Sequence, residues 1–106
     1  MLDLTTKEFK RGASAAASFL RSLSHEARLM VLCQLTEGER SAGELQNGSG
    51  LSQSALSQHL ARLREDGLVE TRRESQTIYY RLADERAARL LETLAELFCP
   101  PKRKRK

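Results

Sequence analysis

Residues 51–69 read Leu-Ser-Gln-Ser-Ala-Leu-Ser-Gln-His-Leu-Ala-Arg-Leu-Arg-Glu-Asp-Gly-Leu-Val. The stretch describes a short amphipathic helix with two unlike faces. Leu56, Leu60 and Leu63 recur at helical spacing and form an apolar stripe. Ser54, Ser57, Gln58 and Arg62 occupy the other side. Short donors and acceptors with one long cation suit a helix laid against a polar, anionic partner. Ser52 is placed to cap the helix, and Leu51 and Leu56 have the spacing of a hydrophobic staple. Asp66 and Gly67 stop it, and a β-rich stretch with its own arginines follows. A DNA-recognition helix feeding a β-wing reads this way. An ordinary surface helix carries mixed Glu and Lys instead.

Working outward, residues 41–46 fit a short third helix capped by Ser41, and Asn47-Gly48-Ser49-Gly50 reads as the turn before the fourth. A short helix, a glycine-containing turn and a capped polar-faced helix match the helix-turn-helix pattern. Upstream, Phe9, Ala13, Ala16, Phe19, Leu20 and Leu23 follow helical spacing over residues 5–22. Ser24 is a good cap for a second helix at about 25–36, with Leu29, Leu32, Cys33 and Leu35 as its apolar positions. Downstream, residues 68–73 and 77–82 read as two strands with a tip at Glu74-Ser75-Gln76. Asp84 caps a last helix running to about Phe98, and Pro100 and Pro101 end it.

The predicted fold is therefore mainly α with a β-hairpin wing, in the order α-α-α-α-β-β-α: a winged helix-turn-helix. Residues 1–99 form one DNA-binding and dimerisation domain, and residues 100–106 a basic disordered tail. The first and last helices carry more apolar surface than so small a domain needs. A homodimer through them would set two recognition helices roughly 34 Å apart, one DNA turn.

At 106 residues, with 30% charged residues, the chain is one domain with a modest core. No apolar run approaches the ~20 residues of a membrane span. The N-terminal residues lack a basic region followed by an apolar one, so the cytoplasm is the expected compartment. The net charge of +4 is uneven. Five of the 18 Lys and Arg residues occupy positions 102–106; without them, 13 basic residues face 14 acidic ones. Any anion-binding surface must arise from local arrangement, with a cationic tail beside it. That tail reads equally as a solvated end or a weak DNA-backbone contact. No nucleophile–base set or phosphate-cradling loop is visible, so an enzyme is not expected, nor a cofactor.

Residues 22–32, 51–69 and the wing at 72–80 together resemble the ArsR family, small dimeric bacterial repressors that leave DNA when an inducer binds. The run Ser-x-x-Ser-x-His-Leu-x-x-Leu-x-x-x-Gly-Leu-Val at 54–69 carries most of the likeness. One departure is Glu26, where the family often has Pro. A glutamate at a helix N-terminus is compatible with the helix dipole. By resemblance, Gln53, Ser54, Ser57, Gln58, His59 and Arg62 touch DNA. Gln58 suits adenine, and Arg62 suits guanine or phosphate. His59 lies at the edge of the apolar stripe, so packing, phosphate contact and base reading stay open for it. Arg72, Arg73 and Gln76 lie in or near the wing, where backbone or minor-groove contact is expected.

Many members of that family sense metals. Here residues 41–46 hold no Cys or His, and the last helix has Asp84, Glu85, Glu92 and Glu96 but no His. The only histidines are His25 and His59, so no metal site is expected. The two cysteines, Cys33 and Cys99, form no Cys-x-x-Cys motif. On residue chemistry alone they are inert thiols, ligands or a redox pair. Leu32-Cys33-Gln34-Leu35 and Phe98-Cys99-Pro100 resemble the branch of the family that senses reactive sulfur species. That resemblance implies a repressor with an inverted-repeat operator and a persulfide or polysulfide inducer, released when Cys33 and Cys99 are cross-linked. A general oxidant or thiophilic metal as the signal, and a winged-helix module that binds protein instead, are the alternatives.

Overall fold

A computed structural model describes residues 6–99. Its elements are α1 (Lys7–Leu23), α2 (Glu26–Leu35), β1 (Arg40–Ser41), α3 (Ala42–Ser49), α4 (Gln53–Glu65), β2 (Val69–Glu74), β3 (Thr77–Leu82) and α5 (Glu85–Phe98). The expected winged helix-turn-helix is present, with one addition. The two-residue strand β1 pairs antiparallel with β3 (Arg40 opposite Tyr80, Ser41 opposite Tyr79), so the sheet has three strands in the order β1-β3-β2. The basic tail expected at 100–106 lies outside the described residues.

The core is built by leucines at helical spacing. Val31, Leu32 and Leu35 of α2, Leu45 of α3 and Leu56, Leu60 and Leu63 of α4 are at most 3% exposed. Leu68 and Val69 from the wing and Ala87 and Leu91 of α5 close it. Each buried leucine contributes about 1.5–3 kcal/mol of transfer energy. The core therefore seats α4 by its apolar stripe and leaves its polar stripe outside.

Local chemistry sets the element ends. The Thr6, Ser41, Ser52 and Asp84 side chains cap α1, α3, α4 and α5. Ser41 and Glu44 form a reciprocal capping box. Two expectations fail. The cap of α2 is His25, not Ser24: its Nδ1 accepts the Ala27 N–H at 3.1 Å. The expected turn at residues 47–50 is mostly helix, since α3 runs through Ser49. Buried Ser49 donates from Oγ to the Gln46 carbonyl and accepts the Leu51 N–H at 3.2 Å, so the polar groups at this helix end are satisfied internally. Gly50, in the left-handed region at φ 72°, alone turns the chain toward α4.

Candidate nucleic-acid interface and dithiol cleft

Ser52 Oγ accepts the Ala55 N–H at 3.1 Å and starts α4. Leu51 packs on the core, and Leu56 is buried in it. Gln53, Ser54, Ser57, Gln58 and Arg62 are all exposed along the outer face. Arg62 also lies 3.5 Å from Asp66 at the helix end.

His59 sits apart from these. It is half-buried, and its ring lies 4.6 Å from that of His25, tilted by 57°. Burial first, then the nearby His25 and the Arg28 guanidinium, hold its pKa below the ordinary imidazole value. The His25–His59 contact joins α4 to the start of α2. Arg28 donates to the Ser22 carbonyl at 3.3 Å.

The wing splits its arginines between two faces. The register sets Glu70 opposite Arg81, Arg72 opposite Tyr79 and Glu74 opposite Thr77 on one face. Arg72 lies 4.5 Å over the Tyr79 ring. It donates from Nε and NH2 to both oxygens of Glu39 at 2.8 Å, and from NH1 to Glu74 at 2.8 Å. That double bond pattern holds the Glu39 carboxyl below the usual carboxylate range and raises the Arg72 pKa. Arg81 pairs with Glu70. Arg73 falls on the opposite face, with Val69 and Thr71, and is exposed. Among the described residues no carboxylate pairs with it. Gln76 is exposed beside Ser75, whose φ of 58° forms the two-residue tip. Among the described residues the outer wing arginines are paired with carboxylates, and Arg73 is the wing arginine that pairs with none.

The cysteines lie away from this surface. Cys33, in α2, is half-buried against the core, and Cys99, the C-cap of α5, is exposed; both are free thiols. Sixty-six positions apart in sequence, they line one apolar cleft of about 500 Å³ between α2 and α5. Leu29, Met30, Leu94 and Phe98 are among its apolar lining residues, and Glu26 also lines it. Burial first, and the charge Cys99 bears when ionised second, push the Cys33 thiol up. No group of three or more His, Cys, Asp or Glu side chains gathers as a metal site among the described residues. None of their helices is long and apolar enough to cross a membrane.

Sequence reasoning located the recognition helix and both cysteines. It missed Glu39, the tilted ring contact of His25 with His59, and Glu26 at the cleft. Glu39 carries no local signal, because its partner lies 33 positions away across the sheet. The histidine pair had a weak one, since both residues stood near the DNA-binding half.

Residues 25–71 match the model of the bacterial regulatory protein arsR family. The chain is 48% identical over 99 residues to the biofilm growth-associated repressor of Agrobacterium fabrum, covering 93% of this chain and 85% of that protein. Among solved structures, reduced HlyU from Vibrio cholerae superposes with a TM-score of 0.85 at 44% identity, covering 90% of this chain and all of the other. HlyU is named a transcriptional activator. A homodimeric winged helix-turn-helix DNA-binding domain from Mycobacterium bovis matches with a TM-score of 0.72 at 29% identity, over 91% of this chain and 89% of that one. With the recognition helix, the wing and these likenesses together, the chain belongs to the ArsR family, and it is a DNA-binding transcriptional regulator, not an enzyme.

Proposed function

We propose that this regulator is a dimeric cytoplasmic repressor that holds an inverted-repeat operator while Cys33 and Cys99 are free, and lets go when a persulfide joins them. The observation that carries this reading is the shared cleft: two thiols far apart in sequence open onto one apolar space. Cys99 is the exposed partner and meets the donor first. Its thiolate attacks the sulfane sulfur of R–S–SH, the S–S bond breaks, and RSH leaves with the proton. The product is Cys99–S–SH. The Cys33 thiolate then attacks the inner sulfur, expels HS⁻, which leaves as H₂S, and closes a disulfide. The sulfane sulfur is reduced and the two thiols are oxidised. A direct bond needs Cα atoms within about 7 Å. If a second donor first converts Cys33 to Cys33–S–SH, the same attack leaves a three-sulfur bridge and relaxes that limit.

In this reading Gln53, Ser54, Ser57, Gln58 and Arg62 face the major groove, with Gln58 and Arg62 reading bases or gripping phosphate. Arg73 and Gln76 approach the backbone from the wing, and Arg72 joins them only when Glu39 releases it. His59 acts by packing. Helix α2 links signal to output. Its N-cap His25 packs on His59 of α4, and the Cys33 carbonyl accepts from Thr36 Oγ1 at 2.6 Å in the turn leading to Glu39. A bridge that ties α5 to α2 therefore acts on an element in contact with both DNA-binding parts. Exposed Phe9 and Leu20 on α1 and Leu97 on α5 supply apolar surface for a second copy. A 100-fold loss of affinity on bridging corresponds to about 2.7 kcal/mol of coupling. The test is persulfide treatment of Cys33→Ser and Cys99→Ser proteins bound to DNA. Retention of DNA is expected; release overturns the reading.

A further inference from the structure

We propose that the cleft between α2 and α5 is a selectivity pocket for the leaving thiol of the sulfur donor, favouring apolar, uncharged carriers over acidic ones. This rests on the Cys33–Cys99 reading above. The cleft holds about 500 Å³. One or two bridging sulfur atoms fill a small part of that, each being comparable to a water molecule at about 30 Å³. The remaining space suits the organic part of the donor.

The walls decide which organic part. Leu29, Met30, Leu94 and Phe98 offer it no charge, and Met30 and Phe98 are 41% and 79% exposed. An alkyl carrier covers these side chains and removes its own apolar surface from water. Among the described lining residues Glu26 alone is charged. A carrier with carboxylates, such as glutathione, is stripped of water against apolar walls and set near a like charge, and both effects disfavour it. Reaction geometry points the same way. The carrier leaves from the sulfur that Cys99 attacks, so it occupies the cleft during the first S–S exchange and is free to depart before Cys33 closes the bridge.

The experiment compares n-butyl persulfide with glutathione persulfide at equal sulfane sulfur, on the reduced full chain. Mass spectrometry follows the Cys33–Cys99 bridge, and each rate is divided by the rate of thiol loss in the same chain unfolded in guanidinium. That division removes the donors' intrinsic reactivities. Partial burial of the butyl chain should make its normalised rate about tenfold the higher. Glu26→Gln should raise the glutathione persulfide rate more than the butyl rate and so narrow the ratio between them, while Leu94→Glu should lower the butyl rate. Equal normalised rates for the two donors in the native chain overturn the pocket and leave the dithiol reading standing. Absence of a bridge with both donors overturns the dithiol reading itself.

Discussion

Arg72 of the wing and Glu39 of the turn after α2 form a two-bond ion pair, each bond 2.8 Å long. The guanidinium expected, from its place in the wing, to contact DNA is thus already engaged by a carboxylate, and by Glu74 besides. The pair is partly solvent-exposed, so it adds little to stability. Glu39→Gln should free Arg72, tighten DNA binding several-fold at low salt, and steepen the plot of log affinity against log salt by about one unit. Arg73→Ala should make the same plot shallower by about one unit. Fluorescence anisotropy across a salt series measures both. An unchanged slope for Glu39→Gln removes Arg72 from the DNA surface.

Gln58 and Arg62 differ from the wing in what they should read. Gln58→Ala should relax the preference at one base pair by about 1–3 kcal/mol while leaving the salt slope nearly unchanged. Binding to a panel of single-base operator variants distinguishes this from a uniform loss, which would assign Gln58 to the backbone.

The start of α4 rests on two small features, the Ser52 cap and the left-handed Gly50. Ser52→Ala should cost about 1 kcal/mol, and Gly50→Ala a similar amount through backbone strain. For a chain of this size each lowers Tm by about 4–8 °C. Thermal unfolding checks both, and a change below 1 °C in either contradicts the role given to that residue.

His59 gives the fold a pH dependence. Its folded-state pKa lies below the ordinary value of about 6.5, so the unfolded chain takes up its proton first as pH falls. The stability it contributes is present above about pH 6.5 and is lost on acidification through the lower folded-state pKa. Tm should fall between pH 7.5 and 5.5, and His59→Asn should flatten that fall. An unaltered fall in the variant assigns it to other groups.

These expectations rest on parts of the molecule that differed in how openly the sequence declared them. The recognition helix was legible because Leu56, Leu60 and Leu63 and the Ser52 cap are local signals that agree with one another. Asp84 at the head of α5 was legible for the same reason. The end of α3 was not. Asn47, Gly48 and Ser49 favour a turn, but Gln34 of α2 lies over Gly48 so closely that an added Cβ would meet its side chain. That tertiary contact, with the internal bonds of Ser49, keeps the residues helical. Strand β1 was invisible, since two residues have no periodicity and their partner Tyr80 is about forty positions away. The site divides likewise. Both cysteines stood out as residue types, whereas their common cleft, the Glu39 clamp and the histidine pair are products of packing.

The central claim is that linking Cys33 to Cys99 controls the grip on DNA. The most direct measurement takes a duplex selected from a random pool by the reduced protein. Affinity is then followed while mass spectrometry scores the same sample for the Cys33–Cys99 bridge. Affinity should fall about 100-fold in step with the bridged fraction and return when a reductant opens it. Full affinity in a sample that is wholly bridged would contradict the account.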